Sequence, residues 1–63
     1  MYKDEAVKLM SDYIDAMNRQ LAAQANMPAD QLEQAITQGR PQLDHVNGLL
    51  YDLLKENGLL AAP

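Results

Sequence analysis

The chain has no cysteine, tryptophan or phenylalanine, a single histidine, only two aliphatic hydroxyls (Ser11 and Thr37), and no long apolar run. Each absence excludes something. Without cysteine there is no disulfide, and a lone His45 cannot supply the cluster of ligands that zinc requires. No stretch approaches the ~20 apolar residues of a membrane span. Met1-Tyr2-Lys3-Asp4-Glu5 lacks the basic-then-apolar order of a secretory signal, so a cytoplasmic location and no membrane partner are expected. Val and Ile are few and never alternate with period two, which argues against strands.

Catalytic chemistry is poorly provided for. A Ser-His-Asp arrangement would have to gather Ser11, His45 and an acid on a scaffold with almost no concave volume. Ser11 falls beside an apolar seam, an ordinary place for a small polar residue. His45 and Asp52 lie two turns apart on one helical face, but a single pair per chain is a weak metal signal. The expectation is therefore no catalytic residues, no metal and no cofactor.

Basic charge is also scarce. Five Lys and Arg face nine Asp and Glu, for a net charge of -4. Lys3, Lys8, Arg19, Arg40 and Lys55 are scattered, whereas nucleic-acid binders concentrate cations on phosphates. Direct nucleic-acid binding is not expected, and the acidic balance favours a basic protein partner or simple solubility. Asp4, Asp12 and Asp15 form roughly one stripe, too sparse for phosphate mimicry, and read as a solvated face.

What the chain does contain is helix-forming sequence with clear punctuation. Asn26-Met27-Pro28, Gln38-Gly39-Arg40-Pro41 and Asn57-Gly58 divide it into helices at about 4–26, 28–37 and 41–57, with an apolar tail at 58–63. Asp4 and Glu5 suit a helix start, where the helix dipole favours acids. Val7, Met10, Ile14, Met17 and Leu21 then recur at alternating spacings of 3 and 4, a heptad-type seam. Ala6 and Tyr13 widen it, with Tyr13 expected in the core. Asp4–Lys8 and Asp15–Arg19 are spaced for ion pairs one turn apart.

Pro28 is expected at the first helical position, with Asp30 in the first turn of a short second helix carrying Leu32, Ala35 and Ile36 on one face. Gly39 and Pro41 read as a stop and a restart, because a proline inside a helix removes a backbone bond; the alternative is one long helix kinked near Pro41. In the third stretch Leu43, Val46, Leu50 and Leu53 keep the 3–4 rhythm. Gly48 sits inside it, either for close helix approach across an interface or as a tolerated exposed residue. Gly58 is placed to end the helix in a Schellman cap, with Leu59 covering Leu54.

The pattern predicts an all-α fold: a helical hairpin of two long helices with a short middle helix as elbow. A chain of 63 residues buries only about 60% of its unfolded surface. Two helices alone cannot hide stripes this broad. Val7, Met10, Ile14, Met17, Leu21, Leu43, Val46, Leu50 and Leu53 are therefore assigned to a self-association seam, which would build a homodimeric four-helix-type bundle or a higher closed oligomer. The expected function is that of a small non-enzymatic interaction protein that regulates, inhibits or chaperones a larger partner through a helical surface. The alternative is an oligomeric binder of a small ligand, such as a sponge for an anionic nucleotide. Tyr2, Arg19, Arg40 and Tyr51 are the candidate partner or ligand surface. Arg40 is favoured by a helix N-terminus beginning at Pro41, where free N–H groups attract anions.

Overall fold

In the computed structural model, residues 2–60 are described and form two antiparallel helices, α1 (Lys3–Gln24) and α2 (Ala29–Glu56), packed as a hairpin. No strand occurs among the described residues. Residues 61–63 of the expected apolar tail lie outside them.

Both helices end by the same device. At the end of α1, Asn26 adopts φ 58°, its N–H donates to the Ala23 carbonyl, and the Met27 N–H donates to the Ala22 carbonyl at 3.0 Å. At the end of α2, Gly58 adopts φ 67°, its N–H donates to the Lys55 carbonyl, and the Leu59 N–H reaches the Leu54 carbonyl at 2.9 Å. These paired bonds are the Schellman motif, which needs a left-handed residue and so selects Gly or Asn. The Schellman reading of Gly58 is correct in its backbone bonds, although Leu59 is 70% exposed, and Asn26 repeats the motif where only a break was read.

The elbow requires a correction. There is no separate middle helix: α2 runs unbroken from Ala29 to Glu56 with Pro41 inside it, and Pro28 caps it rather than occupying its first turn. Proline deletes one donor, that of its own nitrogen to the residue-37 carbonyl. Pro41 and Thr37 are both exposed, so this carbonyl can turn to water instead of being left unpaired. The residue before it, Arg40, is held in the helix by side-chain bonds described below.

The hairpin's interior is unusual for a helix pair. Its fully shielded side chain is Ser11 (0% exposed), accompanied by Asn47 (3%) and Asp15 (6%). Among the described residues only Ala6 and Ala22 are buried hydrophobic side chains. The large apolar side chains lie at the margins or outside. Val7, Met10, Ile14 and Leu43 are half-buried, while Met17, Leu21, Val46, Leu50 and Leu53 are exposed, Leu21 and Leu53 by 59% and 56%. Tyr13, expected in the core, is 68% exposed. It projects from α1 on the side away from Ser11, so α2 does not reach it.

The cause is a choice between two rows on the same helices. A heptad seam advances by 3 and 4 residues, whereas most of the contacts that join α1 to α2 advance by four. Lys3, Ser11, Asp15 and Arg19 on α1 meet Asp52, Gly48, Asp44, Arg40 and Glu33 on α2. Such i±4 rows are one of the standard ridges by which helices interlock. Here those rows hold the polar residues, so the hairpin closes on its polar stripe and leaves the apolar seams beside the contact.

Candidate functional site

Two features are built by this arrangement: a polar row between the helices and an apolar face on one side of them. In the polar row Asn47 Nδ2 donates to Ser11 Oγ at 2.9 Å, and the Ser11 hydroxyl donates in turn to the Asp44 carboxylate. Arg40 then engages three carboxylates with its whole fork: Nε to Asp44 at 2.8 Å, Nη1 to Asp15 at 2.8 Å and Nη2 to Asp12 at 2.9 Å. Lys8 closes the set by pairing with Asp12. Every buried side-chain polar atom among the described residues has a partner. A network satisfied in this way rigidifies one pairing of the helices, whereas a partly satisfied one would be costly.

The titration behaviour follows from the bonds. Hydrogen bonds from Lys8 and Arg40 hold the Asp12 carboxyl below its ordinary value. The Ser11 hydroxyl, and after it Arg40, do the same for Asp44. The Arg40 guanidinium is correspondingly raised, by Asp12 first and then Asp44 and Asp15. At the turn end of the hairpin, Arg19 grips Glu33 with two parallel bonds of 3.0 and 2.9 Å, which lowers Glu33 and raises Arg19. At the open end Lys3 reaches Asp52 at 3.0 Å. Exposed pairs of this kind add little stability but fix which residues stand opposite one another.

Several sequence expectations change here. The Asp4–Lys8 and Asp15–Arg19 pairs are replaced: Lys8 turns forward to Asp12, Asp15 crosses to Arg40, and Arg19 crosses to Glu33. For Asp15 and Arg19 the opposite helix offers better-placed partners, whereas Lys8 exchanges one carboxylate of α1 for another. Asp12 and Asp15 are therefore not merely a solvated face. Ser11 is not beside the contact but at its centre. Gly48 is buried within the chain, under the Lys3 side chain, and a Cβ there would meet Lys3 Cε at an ordinary 3.5 Å. Arg40 lies inside a continuous helix, so no helix N-terminus stands beside it.

The four candidate ligand residues are not gathered. Tyr2 and Arg19 are separated by ~25 Å along α1. Both guanidinium groups are engaged by carboxylates of the chain itself. Tyr2 is exposed and Tyr51 half-buried. His45 is exposed, and its sequence neighbour on that face, Asp52, is bonded to Lys3. Among the described residues no group of three or more His, Cys, Asp and Glu is arranged to hold a metal ion.

The apolar face is continuous across both helices. A groove of about 490 Å³ runs along it, lined by Ile14, Leu21, Leu32, Ile36 and Leu43 with Ala22, Ala35 and Gly39, and with Asp15 and Asn18 as its polar edge. Val46 and Leu53 continue the row of Leu32 and Gly39 at seven-residue steps, and Leu50 continues that of Ile36 and Leu43. Of the seam residues read from the sequence, Ile14, Leu21 and Leu43 line this groove, whereas Val7 lines a separate concavity with Lys3, Lys8 and Gly48. The one sequence signal for the polar row is that Lys3, Asp15 and Arg19 on α1 meet residues of opposite charge on α2, namely Asp52, Arg40 and Glu33.

No helix of the described residues is long and apolar enough to cross a membrane. Comparison with protein-family models, with curated proteins and with solved structures finds no match.

Proposed function

We propose that the chain is a non-enzymatic interaction protein. It self-associates as a homodimer of the four-helix type and binds a larger protein partner through its helical surface, regulating, inhibiting or chaperoning it. One observation carries this reading: the hairpin buries its serine, asparagine and aspartate and leaves its leucines outside. Exposed apolar surface of this extent on a small chain marks a surface meant to be covered. The polar row supports the same conclusion, because Ser11 is sealed from any substrate and Arg40 is saturated by three carboxylates. A net charge of -4 favours a partner surface of basic character.

Light scattering after size exclusion tests the self-association. At micromolar concentration the mass should be twice the 7.0 kDa of one chain. A single chain that melts cooperatively at that concentration would overturn the proposal. For the partner, capture from the source lysate is compared between the native chain and Met17→Glu, which puts charge on the exposed seam without touching the polar row. A protein recovered in stoichiometric amount with the native chain should be lost with the variant. Equal recovery with both would show that the face is not the binding surface.

A further inference from the structure

We infer that the apolar face is covered by a second copy laid antiparallel, α2 against α2, with the turns of the two hairpins at opposite ends and the two-fold axis near Leu43. This deepens the homodimer reading and rests on it.

The area fits one such partner. The chain exposes 4960 Å², against the roughly 4,000 Å² that a compact monomer of its mass exposes. The excess is close to the ~800 Å² that each partner buries in an interface of standard size. Independently, the molecule measures 41 × 19 × 15 Å, a slab one helix thick. Covering its broad side once removes roughly the same ~800 Å² from each copy.

The order of side-chain sizes along α2 selects the antiparallel pairing. Its N-terminal half carries Leu32, Ala35, Ile36 and Gly39 on the face, and its C-terminal half carries Leu43, Val46, Leu50 and Leu53, so both small residues fall in the N-terminal half. Gly39 stands in mid-helix, where glycine is a poor choice, and no atom of its own chain lies within 4 Å of the Cβ it lacks. Nothing inside the chain therefore requires a glycine there. Antiparallel pairing sets the large side chains of one copy over Ala35 and Gly39 of the other, and the packing is even along the seam. Parallel pairing would set Gly39 on Gly39 and Leu53 on Leu53, a void beside Ala35 and Gly39 and a crowd at the C-terminal end. An isologous contact of this kind closes at two copies.

The chain has no cysteine, so single-cysteine variants label cleanly. Gln42→Cys and Lys55→Cys are both exposed positions on α2 outside the seam. With nitroxide labels on the full chain, the distance between copies should be within about 25 Å at position 42 and about 30–40 Å at position 55, from the rise of 1.5 Å per residue on either side of the axis. A position-55 distance equal to or shorter than that at 42 would overturn the antiparallel pairing. In a second measurement, Gly39→Leu should keep its helix content by circular dichroism, since the space is open within one chain, and weaken the dimer at least ~10-fold by clashing with the second copy. Adding Val46→Ala to Gly39→Leu should recover part of the loss. A Gly39→Leu dimer as tight as the native one would sink this pairing. If the native chain never dimerises, the failure belongs instead to the homodimer reading on which it rests.

Discussion

Replacing Ser11 by alanine should cost far more than a serine-to-alanine change on a helix surface. Ser11 is wholly shielded, and its hydroxyl both accepts from Asn47 Nδ2 and donates to Asp44. Alanine itself is the better helix former and leaves only a small void. The penalty comes from Asn47, 3% exposed, whose amide loses its acceptor in a place water does not reach. An orphaned buried donor costs ~1–3 kcal/mol. For a domain of this size that corresponds to a drop in Tm on the order of 4–20 °C. The assay is thermal and urea unfolding followed by circular dichroism, at one fixed chain concentration because association shifts apparent stability. A double-mutant cycle isolates the bond: once Asn47→Ala has removed the donor, Ser11→Ala should cost ~1 kcal/mol less than it does alone. Additive effects, or a Ser11→Ala chain that melts within 2 °C of the native one (about the error of such melts), would refute the polar row as the element that fixes the helix pair.

Pro41→Ala should stabilise by ~1–3 kcal/mol, because the helix is continuous there and alanine restores a backbone donor; a neutral or destabilising result in thermal melts would indicate a broken helix. Gly48→Ala should raise stability by about 0.5–1 kcal/mol, since its Cβ meets Lys3 at an ordinary distance, and a lower melting temperature would show that the helices approach more closely than this. Asp12, Asp44 and Glu33 are all held below their ordinary values in the folded chain. Depressed carboxyls lend stability that is fully present above their unfolded values and is lost as pH falls through the folded ones, so the melting temperature should hold from pH 7 to about pH 5 and decline below it. A melting temperature that is flat or rising down to pH 3 contradicts the ion network.

The helical class, the hairpin and the Schellman cap at Gly58 were legible in the sequence, because each rests on local geometry. Spacing fixes which residues share a face, and a left-handed cap needs a residue such as glycine. The continuity of α2 was not legible. Gly39 and Pro41 are both helix breakers by local preference, and what overrides them is tertiary: Arg40, between them, is bonded to Asp12 and Asp15 on the other helix. The polar row was illegible for a related reason. Each of Ser11, Asp15, Asp44 and Asn47 looks like a solvated residue when its own helix is read alone. Only the opposed helix turns Asp15 into a buried ligand of Arg40 and Ser11 into a link between Asn47 and Asp44. Apolar periodicity reports how much surface must be hidden; it does not report which of two neighbouring rows hides first.

That distinction bears on how the molecule works. Had the hairpin closed on its heptad seams, the leucines would have been used up inside one chain and the exterior would be carboxylates and amides, with nothing to offer a partner. Closing instead on the polar row demands mutual satisfaction. Arg40 has three acceptors within reach only when α1 and α2 stand in one register, and a slip by one turn would strand Asp15 or Asn47 without a partner. The row is therefore weak as glue and strong as a selector: it adds little net stability but rejects the alternative in which the seams collapse on one another. In return the full apolar face is presented in a single geometry, with the groove around Gly39 already open. Replacing Ser11, Asp15, Arg40 and Asn47 together with leucine, alanine, leucine and leucine should then produce a chain that is still helical but no longer of one size. Its helices could pair on either row, and sedimentation should show a spread of species where the native chain is expected to give one. A quadruple variant that retained a single sharp oligomer would mean that the seams alone dictate the assembly and that the polar row selects nothing.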